Sequence, residues 1–254
     1  MGEMVMLDGF PLTGVTRDGV WKRLGDIEGW WTRPAAKTQY VDRPRGDGQH
    51  PSPVRFGERL ITINGRVTSR NHDYLHQAQQ QINALGLRGG AKLMVSGHGP
   101  AQWALVDPRG ETSADFATDT YLSWQIPLVA SDPFKYGEPQ AFSFHTASAS
   151  SVPVFHRGTV PAWPVVTVTG YSASQGYTLT LNGKSIVVTQ AAWSSQPHVL
   201  DYRTGILRVG GSVARGGIST ANYSPVKPGM PQSLSISVPA GTAKVDISFY
   251  DTFI

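Results

Sequence analysis

The sequence predicts a mainly β protein with one helix, arranged as two successive β domains. Three observations carry that reading. Leu122, Trp124, Ile126, Leu128 and Ala130 alternate with Ser123 and Gln125, the period-two signature of a half-buried strand. Leu75, Ala78, Ile82 and Leu85 fall at i, i+3, i+7 and i+10 with glutamines opposite, a helical stripe. From Phe142 onward, alternating runs are separated by Gly and Pro turns at short spacing, the pattern of two packed antiparallel sheets.

In chain order, Met4 to Leu7 form a first strand closed by Asp8-Gly9, a turn pair. Residues 20–24 and Tyr40-Val41 are further strands, with Trp30, Trp31 and Pro34 in the loop between them. Residues 42–51 have no periodicity, are dense in turn formers and read as an exposed loop. Residues 59–67 alternate as a strand before the helix at 73–85, which Asn71 can cap and Gly86 can close in a left-handed conformation. Residues 92–95 and 101–106 return to strand, followed by the strand at 121–130. Pro127 lacks an N–H for a ladder, which assigns that strand to a sheet edge or a bulge. Asp132-Pro133 ends it and marks the hinge between a first domain, 1–136, and a second, 137–254. In the second domain Asn182-Gly183 joins 178–181 to 184–189 as a two-residue type I′ hairpin. Residues 233–238 and 244–249 alternate as two more strands.

The 254 residues suffice for one large or two ordinary domains, each with its own core. Only 16% are charged, while Gly (28) and Pro (18) are frequent, as in a turn-rich β protein. Without cysteine there is neither a disulfide framework nor thiolate chemistry. The first residues have no basic, apolar leader pattern and Met6 replaces the Ser or Thr of a myristoylation signal. No apolar run approaches the ~20 residues of a membrane span, so the expectation is a soluble protein made inside a cell.

The net charge of +4 is unevenly spread. Between residues 33 and 70, eight basic residues (Arg33, Lys37, Arg43, Arg45, Arg55, Arg59, Arg66, Arg70) face three acids (Asp42, Asp47, Glu58), a local +5. From 107 to 132, Asp107, Glu111, Asp115, Asp119 and Asp132 oppose only Arg109, a local −4. Separated signs of this kind suit steering of one molecule onto another, or facing a polyanion.

Motifs of catalysis are missing. His72 and His76 sit one helical turn apart around Asp73, but a zinc site needs a third ligand and a catalytic Glu beside the first His. Acids are sparse after residue 137, and no Ser stands in a nucleophile elbow. Gly89-Gly90 and Gly97-His98-Gly99 open no helix and are not phosphate loops. Arg45-Gly46-Asp47 matches an adhesion tripeptide, in a loop that needs turn formers anyway. Trp30, Trp31, Trp163, Trp193 and Tyr223 lie in loop-like contexts, where aromatics serve packing and protein contact more often than sugar stacking. The residues therefore point to a structural or binding role, with no enzyme activity, cofactor or metal.

Several short motifs in a fixed order resemble the distal tail protein family of long-tailed, non-contractile phages, labelled minor tail proteins of the tail tip or baseplate. They are the Asp42-Arg43-Pro44 and Gly46-Asp47-Gly48 loop, the strand running into Ala130-Ser131-Asp132-Pro133-Phe134-Lys135-Tyr136, Pro225-Val226-Lys227-Pro228-Gly229, and the final strand at 245–250. The resemblance covers the whole chain. It implies an N-terminal domain that assembles head-to-tail into a hexameric ring and a C-terminal galectin-like sandwich. The ring would join the tail tube protein to the tail-tip hub protein at the distal end of the virion tail, beside the tape measure protein, after assembly in the host cytoplasm. DNA would pass through its lumen without specific contacts and no membrane would be involved. On that reading Arg43, Arg45, Arg55, Arg59, Arg66 and Arg70 are candidate lumen or interface cations, and Asp107, Glu111, Asp115 and Asp119 their acidic complements. Trp30 and Trp31 are candidate interface aromatics. The alternative is a protein that recognises a host cell-surface glycan through its C-terminal sandwich.

Overall fold

A computed structural model describes residues 3–38, 41–50, 53–97, 99–171 and 175–254. Tyr40 of the expected strand, Pro51 of the loop and His98 of the glycine pair lie outside the described residues, as do Met1 and Gly2. The chain divides into two compact units, Met1–Lys135 with Ile254, and Tyr136–Phe253.

The first unit runs β1 (Met4–Leu7), β2 (Phe10–Pro11), β3 (Gly14–Val15), β4 (Val20–Arg23), β5 (Ala36–Lys37), β6 (Val41–Asp42), β7 (Gln49–His50), β8 (Arg55–Phe56) and β9 (Arg59–Thr68). After these come α1 (His72–Ala84), β10 (Ala91–Ser96), β11 (Gln102–Pro108), β12 (Ser113–Thr118) and β13 (Tyr121–Ala130). All pairings are antiparallel: β9 lies between β4 and β13, and β13 pairs with β12 and β11 on its other side. Leu75, Ala78 and Ile82 of α1 are buried in the same core as Ile61, Ile63, Val67, Leu122, Trp124 and Ile126, so the helix stripe and the strand alternation meet. Asn71 caps α1 by accepting from the Asp73 amide at 3.0 Å, as its side chain predicts.

Three expectations are corrected. Strand β13 is interior, because β9 pairs with one edge along its whole length and β12 and β11 pair with the other. Pro127 is tolerated since its carbonyl accepts from the Arg109 amide at 3.0 Å, so its missing N–H also points to that side, where β12 has ended and β11 has not begun. Of the expected loop, residues 42–50 are exposed, yet they are built as a hairpin, Val41–Asp42 pairing with Gln49–His50. Strand β12 was not expected from the sequence, since Phe116 is its sole large apolar residue.

The second unit is a two-sheet antiparallel sandwich. Its strands are β14 (Lys135–His145), β15 (Ser151–Val154), β16 (Val165–Tyr171), β17 (Tyr177–Leu181), β18 (Lys184–Val188), β19 (His198–Asp201), β20 (Ile206–Val209), β21 (Ser212–Val213), β22 (Ile218–Ala221), β23 (Gln232–Ser237) and β24 (Thr242–Phe253). One sheet has the order β21-β20-β19-β16-β24-β14, the other β15-β23-β17-β18-β22. Leu179, Ile186, Leu234 and Ile236 from one sheet and Val166, Val168, Leu200, Val245 and Ile247 from the other make one buried core. The β17–β18 turn has Asn182 at φ 53° and Gly183 at φ 71°, the left-handed pair of a type I′ hairpin.

Candidate functional site

In β9 the residues on the Ile61 and Ile63 face point into the core, and Arg59 shares that face, 1% exposed. Its guanidinium is spent on backbone. Nε donates to the Pro133 carbonyl at 3.0 Å, and Nη1 to the carbonyls of Gly29 (2.7 Å), Trp30 (3.1 Å) and Thr32 (2.7 Å). Nη2 is buried with no acceptor. Lys135, 4% exposed, donates to the same Trp30 carbonyl at 3.1 Å, with its ammonium 5.5 Å from the Trp30 ring centroid and 5.4 Å from that of Trp31. Burial lowers Arg59 to about 10, and burial with the Arg59 charge lowers Lys135 to about 8. Two buried cations thus share carbonyls and no carboxylate.

The segment carrying those carbonyls is held close to β9. Glu28 bridges Thr62 in antiparallel fashion, and Gly29, at φ 78°, passes so near Leu60 that a Cβ there would lie 1.7 Å from its carbonyl oxygen. Beside it opens a cleft of about 310 Å³ lined by Arg33, Lys37, Glu58 and Arg59, with Gly29, Pro34 and Leu60 among its apolar walls. Glu58 already serves two cations, Lys37 at 3.4 Å and Arg109 at 3.3 Å, and its own backbone bond and those partners lower its pKa. Arg33, Lys37 and Lys135 were not singled out as site residues by sequence reasoning. The parity of β9 did carry a signal for Arg59, because Ile61 and Ile63 fix which face is inward.

On the opposite face of β9 and β13 stand Thr62, Asn64, Arg66, Ser123 and Gln125, a half-buried to exposed polar surface. The cross-strand register puts Lys22, Arg66, Ser123 and Asp115 in one row over β4, β9, β13 and β12. Arg66 packs over the Tyr121 ring at 5.9 Å. Asp119 sits in the turn before β13, whose Thr120 carbonyl accepts from the Ser69 amide next to Arg70. The two signs are therefore separated along the chain but interleaved on the sheet.

Arg43, Arg45 and Arg55 are exposed in and beside the short strand pairs β6–β7 and β5–β8, where Val41 and Val54 are exposed as well. Glu111, Asp115 and Asp119 are exposed, while half-buried Asp107 accepts from the Gly90 amide at 2.7 Å and closes that loop. Two expectations fail on burial within the subunit. Arg59 is enclosed by carbonyls and is no free surface cation, and Trp30 is fully buried, while Trp31 is 47% exposed.

The other sequence candidates have local explanations. His72 and His76 are exposed and pack at a tilt against Phe116 with ring centroids 5.2 and 4.8 Å away. Among the described residues no three His, Cys, Asp or Glu side chains are grouped to hold a metal, and no helix is long and apolar enough to cross a membrane. In the second unit His156 is buried between Asp251 (Nδ1 to Oδ1, 2.9 Å) and the Val160 carbonyl (Nε2, 2.6 Å). Asp251 also accepts from Gln140 and from the Arg157 amide at 2.8 Å each, so this pair ties β24 to the 156–160 loop. Trp163 and Trp193 are 42% and 46% exposed.

No family model and no curated relative matches the chain. Solved structures do. The crystal structure of SPP1 Dit (gp 19.1), described as a paradigm of hub adsorption apparatus in Gram-positive infecting phages, superposes with a TM-score of 0.72 over 100% of both chains at 14% identity. The phage P2 baseplate in its activated conformation matches with TM-scores of 0.55 with Ca and 0.53 with Sr, at 6% identity over 98% of each chain. From end to end, this chain has the fold of the phage distal tail protein Dit.

Proposed function

We propose that this chain is a structural, non-enzymatic subunit of the tip of a long non-contractile phage tail. Six copies close head-to-tail into a ring through the first unit, and the galectin-like sandwich of the second lies outside the lumen. The ring joins tail tube to tail-tip hub, next to the tape measure protein, and DNA passes through it. The end-to-end correspondence with SPP1 Dit carries this reading.

The surface chemistry supports it. A channel for DNA must avoid strong phosphate contacts, because each neutralised phosphate adds salt-dependent drag. The outward face of β9 and β13 meets that need, offering Thr, Asn, Ser and Gln around few charges. The short strand pairs β5–β8 and β6–β7 are exposed two-stranded elements, and such elements gain stability on a neighbouring subunit. Native mass spectrometry and electron microscopy of the purified chain test the proposal: six subunits with a central hole support it, and a single subunit at every concentration refutes it. The glycan-binding alternative draws on exposed Trp163 and Trp193. Retention of host wall polysaccharide by the chain, lost in the double Ala variant, would favour it.

A further inference from the structure

We propose that His198 and Tyr177 form an acid-sensitive latch between the two sheets of the second unit, and that protonation of His198 releases the edge strands β19, β20 and β21. The device lies wholly within that unit and does not depend on how many copies assemble.

The latch is a polar bridge buried in an apolar core. His198 opens β19 at 0% exposure, level with Val168 of β16 and, beyond it, Val245 of β24. Tyr177 opens β17 in the facing sheet at 2% exposure. Its hydroxyl lies 3.1 Å from His198 Nδ1, with the ring centroids 5.6 Å apart. His198 Nε2 is buried without a bond of good geometry, and the carbonyl turned toward it is that of Ala191. A carbonyl only accepts, so the hydrogen of the neutral ring sits on Nε2 and the Tyr177 hydroxyl donates to Nδ1. Burial holds the imidazole below its ordinary range, the Ala191 carbonyl opposing in part, and burial holds the Tyr177 phenol above its own.

A second proton on the ring finds no counter-charge. Tyr202 and Tyr223 are the phenols that share this core with Tyr177, and burial raises both. The 189–197 link has no titratable side chain. Asp201 on β19, Arg208 on β20, and Lys244 and Asp246 on β24 alternate with the inward residues and stand on the outer face. His156 and Asp251 meet farther along β24. Protonated His198 carries a hydrogen on Nδ1 as well, so it turns the phenol hydrogen away from its acceptor and buries an unpaired charge. Strand β19 meets the rest of its sheet through β16 alone, with β20 and β21 beyond it as the edge, so opening there returns the ring to water. An exposed histidine binds its proton below about 6.5 and the latched one only at lower pH. The closed edge therefore loses stability as pH falls through about 6.5.

Hydrogen exchange of the full chain, read by mass spectrometry at pH 7.5 and 5.5 and corrected for intrinsic rate, tests the latch. One proton taken up on opening costs the 198–213 segment on the order of 10-fold in protection at pH 5.5, while 177–188 and 232–237 change by less than about 2-fold. His198→Gln, neutral at both pH values, abolishes the step. Tyr177→Phe lowers the protection of 198–213 at both pH values and keeps the step. No step in the parent, or an equal step in His198→Gln, overturns the latch. A step shared by all three segments overturns the release of the edge strands as a separate event. The parent profile needs no variant, so it decides the matter even where His198→Gln does not fold.

Discussion

Lys135 pays for its place beside Arg59 with a folded pKa of about 8, below the usual 10.5 of a lysine. The sign of the consequence follows from proton counts. Between those two values the unfolded chain binds more protons, so stability rises as pH increases from about 8 toward 10.5 and the penalty is fully present below 8. At 1.36 kcal/mol per unit the relief reaches at most about 3 kcal/mol. Urea unfolding at pH 7.5 and 9.5 should show the rise, and Lys135→Met should flatten it. Gly29 makes a second residue-scale prediction. At φ 78° and with Leu60 carbonyl in the way of any Cβ, Gly29→Ala should cost at least about 2 kcal/mol in the same assay. Neither residue advertised itself in the sequence: a lysine after Pro-Phe and a glycine before two tryptophans read equally well as exposed loop. Arg59 was half legible, because strand parity placed it on the Ile61 face while its basic neighbours in sequence suggested a surface patch.

At the scale of elements, local rules served well wherever the chemistry was local. The turn at Asn182-Gly183 was legible because a type I′ hairpin demands positive φ at both residues, and the structure has it. Gly183→Val should therefore destabilise the second unit by about 1–2 kcal/mol, seen as a lower urea midpoint at unchanged m-value. Helix α1 was equally legible, and Asn71→Ala should cost about 1 kcal/mol through loss of the bond to the Asp73 amide. Pro127 misled because the rule against interior proline assumes a partner along both edges of the strand. Here one edge has a gap between β12 and β11 at that position. Strand β12 escaped notice because its pairing with β13 substitutes for apolar content of its own.

For the whole molecule, the charge segregation read along the chain dissolves on the folded sheet, where Asp115 and Arg66 share a row and Asp119 turns beside Arg70. The two patches counted along the chain are therefore not two separate faces of the sheet. What the sequence determined alone were the quantities set by neighbours two to four residues apart: strand parity, helix stripe, hairpin turn, and the β-rich character of both halves. What only tertiary structure decided was which residues lost their water. Arg59, Lys135 and Trp30 come together from segments about 30 to 100 residues apart because β9 pairs with the Glu28 segment on one side and β13 on the other. Burial and charge pairing depend on that long-range closure, and no local pattern encodes it.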